Sequence, residues 1–314
     1  MPQGRDSGGD WINIVLCGKV LKMHSFLKAV GFSDIKSRKD VEQLINLVIE
    51  QGAERYMANL GGKTTIAEIF LEAAEDIGVA LRGEYDERGN FHVEHYFPYL
   101  RGQNVSSKES VFISKRVDTD AYTGMCDDYR LGVSLIFYLQ NVTDYISRQY
   151  AEEKKEHAVT LAALATEGKI LLPTLSMKTA QVKEPVNTSG RIKLVEAARK
   201  GDREAMEALT IDDIDLYAQI NKRLKTEDVY SIVETTFIPY GSESDNYTIL
   251  AVIESVYERK NHITGEELYY MNLRCNDLRF PVCINKKDLY GEPKEGRRFR
   301  GNIWMQGTVN FDMA

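Results

Sequence analysis

The hydrophobic period of this chain changes along its length, and that change limits the folds open to it. Before about residue 225 helical spacing of apolar residues mixes with a hairpin. After that point apolar and polar residues alternate, as they do in strands with one buried face. The alternation predicts strands at 229–238, 247–257, 267–275, 278–285 and 302–311. Turns are predicted at 241–245, 261–265 and Asn276-Asp277. Such a succession implies an antiparallel β-meander or a small barrel.

Helical signals dominate the first half. Ser37-Arg38-Lys39-Asp40 reads as a capping box, and Val41, Leu44, Ile45, Val48 and Ile49 follow as an apolar stripe that Gly52 ends. A shorter helix precedes it, with Phe26, Leu27 and Val30, ending at Gly31. Thr65 to Glu68 reads as a second capping box, opening a helix with Ile66, Ile69, Phe70, Ala73 and Ile77. A hairpin is predicted from 79–85 and 91–99, then a strand at 111–117. Asp127 or Asp128 would cap a long buried helix reaching Gln149. A further hairpin is predicted around Thr166-Glu167-Gly168. The expected class is therefore α+β: an N-terminal sheet packed on helices, then a C-terminal helical lead-in and the β-meander or barrel. The expected organisation is a disordered tail or upstream extension at 1–22, with Met23 as the start. An N-terminal domain at 23–172, a linker at 173–190 rich in Ser, Thr, Lys and Pro, and a C-terminal domain at 191–314 complete it.

Composition narrows the function classes. Among 314 residues, 47 acidic side chains against 40 basic give a net charge of −7, with no overall pull toward nucleic acid or an anionic membrane. The longest apolar run, at 131–139, is about half a membrane span. Cysteines at 17, 126, 275 and 283 form no C-x-x-C pair, as expected of reduced thiols in a cytoplasmic protein.

No motif assigns chemistry. Gly61-Gly62-Lys63-Thr64-Thr65 lacks the earlier glycine of a phosphate loop, since Met57 stands there. His92 and Glu94 should share one strand face and His95 the other, too few ligands for zinc; Arg82 and Glu84 should join a solvated, salt-bridged face. Asp118, Asp120, Asp127 and Asp128 gather around Cys126, so an enzyme reading rests on Cys126, Asp127 and Asp128. Three short helices at 191–225 open the C-terminal half. The third begins Asp212-Asp213-Ile214-Asp215, whose charges oppose a DNA-reading role. Lys286, Lys287, Arg297, Arg298 and Arg300, interleaved with Phe299 and Trp304, form the candidate single-stranded nucleic-acid surface. Against it, residues 191–314 hold 18 basic and 21 acidic side chains. No metal or cofactor is implied.

From Met23 onward the chain resembles an uncharacterised bacterial family, a domain of unknown function found mainly in anaerobic Gram-positive bacteria. The carrying stretches are MHSFLKAVGFSDI at 23–35, RGEYDERGNFHVEHYFPY at 82–99 and GRRFRGNIWMQG at 296–307, with others at 126–138, 168–173 and 228–241. The resemblance carries no activity and no functional residue. The expectation is a non-catalytic binding or scaffold protein, with a protein partner or self-association. Nucleic-acid binding at 286–304, or an enzyme site near 118–128, stands as the alternative.

Overall fold

A computed structural model describes residues 14–16, 23–59, 65–116, 121–149, 158–173, 197, 202, 233–240 and 244–311. Strands make up 57% of them and helices 15%, so the protein is mostly β and the α+β expectation is corrected. The linker beyond Pro173, the helical lead-in at 191–225 apart from Ala197 and Asp202, Asp118, Asp120 and Gly61 to Thr64 lie outside the described residues.

Two sheets make the fold. The smaller contains β1 (Ile14–Leu16), β2 (Glu54–Asn59), β3 (Thr65–Ala74), β4 (Ile77–Tyr85) and β5 (Phe91–Leu100), in the order β1-β5-β4-β3-β2. Helix α1 (Arg38–Gln51) packs on it through the predicted stripe Val41, Leu44, Ile45, Val48 and Ile49. The predicted capping box is present, with Ser37 and Asp40 satisfying each other's backbone N–H groups. The predicted helix at 65–77 is instead β3, turning through Asp76 (φ 63°) into β4. Both faces of β3 are buried apart from Glu72, so seven of its ten residues are apolar and its polar ones, Thr65, Glu68 and Glu72, set no period of two. Such a run fits helical spacing by coincidence.

The larger sheet comprises β6 (Val111–Lys115), β7 (Tyr122–Asp128), β8 (Val133–Leu139), β9 (Ala158–Leu171), β10 (Thr236–Pro239), β11 (Asn246–Lys260), β12 (Glu267–Cys275), β13 (Leu278–Asn285), β14 (Leu289–Tyr290) and β15 (Arg298–Asn310). The predicted long helix at 128–149 is replaced by the β7–β8 hairpin and a short helix, α2 (Val142–Gln149). β9 runs unbroken through the predicted turn at 166–168, with an irregularity opposite Asn302 and Ile303.

Five strands close a barrel. β11, β12, β13, β9 and β15 pair in succession, and β15 returns to β11. Closure draws on β9, from before the 173–190 stretch, because β15 offers thirteen residues and pairs with β9 along their shared length. Leu161, Ala163, Ile249, Met271, Val282, Phe299 and Ile303 belong to the core that this ring builds. Rings of phenylalanine close over glycine in two places. Phe299 covers Gly168 and Gly301, and Phe137 covers Gly124 and Gly307.

The small sheet lies against the large one. A 3-10 helix at Ser25–Val30, ended by Gly31 in the left-handed region (φ 85°), is wedged between them. Asn261 Nδ2 donates to the Val30 carbonyl at 2.9 Å and the Cys283 thiol to the Ala29 carbonyl at 3.2 Å, pinning the wedge.

Candidate functional site

Glu68 on β3 and Arg82 on β4 are direct register partners, at 1% and 0% exposure. Arg82 donates from Nε (2.9 Å) and Nη2 (2.7 Å) to Glu68 Oε1, and from Nη2 to the Leu139 carbonyl (3.2 Å). Thr143 donates its backbone N–H (3.1 Å) and hydroxyl (2.7 Å) to Glu68 Oε2. The guanidinium lies 5.3 Å from the Phe97 ring centre and 5.5 Å from that of Tyr138. Burial alone would lower the Arg82 pKa; the Tyr138 and Glu68 fields outweigh it and hold the cation. Arg82 is thus not on the solvated face expected of it, but ties the two sheets together.

Glu68 also lines a cavity of about 540 Å³ between the sheets. Tyr56 and Phe70 give it an aromatic side, their rings edge-to-face at 5.8 Å. Asn104, Gln140, Asn141, Thr160, Thr308 and Asn310 supply amide and hydroxyl groups. Gln140 Nε2 is held by the Leu100 carbonyl (2.9 Å) and Gln306 Oε1 (2.8 Å), fixing its side chain. Arg101 binds Glu54 through two bonds of 2.8 and 2.7 Å and holds its carboxyl below the usual range. The two acid–base pairs at this cavity are therefore satisfied within the protein.

A second cavity, of about 460 Å³, opens beside the 3-10 helix. His24 sits there against Trp304 (ring centres 4.7 Å apart), with Phe26 and Tyr96 near it. Burial lowers the His24 pKa from 6.5 to about 4. Folded His24 is neutral where the unfolded residue is already protonated, so the unfolded chain binds more protons between pH 6.5 and about 4. Stability should therefore fall as pH drops through that window. The shift corresponds to at most about 3 kcal/mol. Because His24 borders an open cavity we expect about half of that, read as a pH-dependent unfolding midpoint that His24→Gln flattens.

The predicted site residues do not converge. Cys126 and Asp128 point inward from β7, both 2% exposed. Burial, then the Asp128 charge, pushes the Cys126 thiol up to about 12, so it stays protonated at neutral pH. Burial works to raise Asp128, but the bonds from Arg130 and Ser107 outweigh it and keep the carboxyl below its usual range. Arg130 continues to the Ser106 carbonyl at 2.8 Å, making a latch between segments. Asp127 faces outward and accepts from the Ser134 hydroxyl. A bulge at Glu94 interrupts the ladder; His92 meets Asp86 at 3.0 Å while His95 lies against Phe97 and Tyr138. Among the described residues no group of three His, Cys, Asp or Glu side chains is placed to hold a metal.

The basic segment is dispersed as well. Lys286 pairs with Glu258 and Glu267, Lys287 with Glu266, and Arg297 with Glu292. Arg298 is buried and donates to the carbonyls of Leu172 (2.9 Å) and Val233 (2.7 Å). Phe299 is enclosed, and Trp304, 5% exposed, donates to Asp245 at 3.0 Å. Arg300 borders a separate cavity with Glu167 and Asp288. These residues offer no continuous stacking platform. Sequence reasoning missed Glu68, Arg82, Tyr138 and Asp245. Only the Glu68–Arg82 pair had a local signal, a hairpin symmetrical about Glu75 and Asp76.

Residues 27–307 match the model of a family described as "Domain of unknown function, E. rectale Gene description (DUF3881)", which bears out the resemblance read from the sequence. No curated protein and no solved structure matches. Among the described residues no helix is long and apolar enough to cross a membrane.

Proposed function

Since the chain belongs to the DUF3881 family, whose function is unknown, we propose from its own geometry a non-catalytic binding role: capture of a small, uncharged, polyhydroxylated ligand such as a sugar. The observation that supports it is the lining of the inter-sheet cavity. Glu68 in the lining is neutralised by Arg82, and the lining Arg101 by Glu54; Asp144, exposed at the edge of the lining, accepts from Asn141 Nδ2 at 3.4 Å, and amides, hydroxyls and the Tyr56–Phe70 side make up the rest. An anion would lose its hydration there and meet only paired cations and the Asp144 carboxylate, and a cation would find only that exposed, water-screened charge. A polyol instead exchanges water for directional hydrogen bonds and rests an apolar face on a ring. Among the described residues, a buried, protonated Cys126 and the separation of the other candidates supply no nucleophile paired with a base.

The test is a thermal-shift and calorimetric survey of neutral mono- and disaccharides, with nucleosides and sugar phosphates alongside. A ligand at about 100 times its Kd should stabilise the protein by about 2.7 kcal/mol. Binding should be nearly independent of salt and weaken about tenfold in Asn141→Ala or Tyr56→Ala. No response to any neutral saccharide, or steep salt dependence, would remove the reading.

A further inference from the structure

Strand β6 stands at one end of the large sheet, paired with β7 alone among the described residues. Its Val111 and Ile113 side chains pack against the barrel core, which holds the strand in place. Arg116, just past its end, donates its N–H to the Ala121 carbonyl at 2.9 Å, on the β7 side. Hydrogen-bonding direction alternates along a strand. Phe112 and Ser114 therefore turn their backbone groups toward β7, and Val111, Ile113 and Lys115 turn theirs to the open edge. On the outer face an apolar row runs to that edge. Phe112 lies opposite Met125, and Met125 opposite Ile136. Phe112 is 65% exposed and Met125 40%. Polar pairs flank the row, Ser114 with Thr123 on one side and Asp127 with Ser134 on the other.

We infer that this edge pairs with the same edge of a second copy of the chain, β6 antiparallel to β6 about a two-fold axis at Phe112. The large sheet then continues across the axis, and the row becomes Ile136, Met125 and Phe112 followed by the same three in reverse. Phe112 opposite its own copy is a non-hydrogen-bonded pair, the geometry that brings side chains closest. Val111 of each copy exchanges backbone hydrogen bonds with Ile113 of the other, which satisfies the open edge. The charges select the same register. With Phe112 on the axis, Glu109 lies opposite Lys115 of the second copy, and this happens twice in the dimer. Moving the axis to Val111 or Ile113 sets Phe112 against Ser110 or Ser114 and parts Glu109 from Lys115. Lys108 and Arg116 also come opposite at the ends. Arg116 is answered by Asp245 at 3.6 Å, and Lys108 is exposed, where water and salt screen it. A two-fold axis makes one patch its own complement, so a second copy matches the row and the charges together. This inference is independent of the sugar reading and survives its failure.

The experiment is sedimentation velocity on the full chain from about 1 to 100 µM, with amide hydrogen exchange at both ends of that range. The parent should pass from monomer to dimer, and the amides of Val111, Ile113 and Lys115 should exchange more slowly at the high concentration. Phe112 is exposed, so Phe112→Ser should keep the parental Tm while weakening the dimer at least about tenfold. Glu109→Lys should weaken it about tenfold, because two attractive pairs become repulsive. Combining Glu109→Lys with Lys115→Glu should restore it, as only this register predicts. A parent that stays monomeric at about 100 µM would overturn the inference. So would exchange at Val111 and Ile113 that ignores concentration, a dimer indifferent to Phe112→Ser, or a double variant no tighter than Glu109→Lys alone.

Discussion

Glu68→Ala should destabilise the protein by about 3–5 kcal/mol, measured by denaturant unfolding, because it strands a buried cation. Arg82 is wholly enclosed, and its Nη1 already lacks a partner. Without Glu68 the guanidinium keeps only the Leu139 carbonyl and two aromatic faces. It cannot shed its proton at any accessible pH. The Thr143 backbone N–H and hydroxyl lose their acceptor at the same moment. Since whole domains are stable by about 5–15 kcal/mol, the variant should be close to unfolding at physiological temperature. Replacing both partners, as Glu68→Leu with Arg82→Met, should cost less than either single change, because no charge is left to strand. A loss below about 1 kcal/mol for Glu68→Ala would show that water reaches Arg82.

Phe137→Ala carries the second large effect, about 3–5 kcal/mol. The ring is fully buried on β8 and lies over Gly124 of β7 and Gly307 of β15, which have no side chains to fill the space it would vacate. The converse test is Gly307→Ala, whose Cβ would come within 2.5 Å of the ring. Alone it should cost about 1–3 kcal/mol by overpacking. Combined with Phe137→Leu it should cost less than the sum, since the smaller side chain yields the room. Additive losses in that cycle would mean that ring and glycine do not share one packing site.

Much of the fold was legible where one face of an element meets solvent. Helix α1 announced itself by its cap and stripe, and β12 and β13 fall on their predicted residues. Among the elements misread, β3 and β8 are buried on both sides or nearly so. In such elements burial removes the polar residues that would reveal a period of two. The site was less legible still. Glu68 and Arg82 meet only once β3 and β4 are known to pair. His24, Tyr138 and Asp245 come together from segments more than a hundred residues apart. The basic run at 286–300 looked like a surface because its acidic partners, Glu258, Glu266 and Glu267, lie on other parts of the chain.

The arrangement of β15 bears on how the protein is made. This strand pairs with β8, β9 and β11 at once, and it is the last strand described. As the chain leaves the ribosome, β8, β9 and β11 must each wait with an open edge until residues 298–310 emerge. The ring can close only then, through contacts of long sequence separation that make folding slow. The nascent protein therefore passes through a sticky interval that the finished molecule never shows, and its yield in the cell should depend on chaperones that shield that edge during translation.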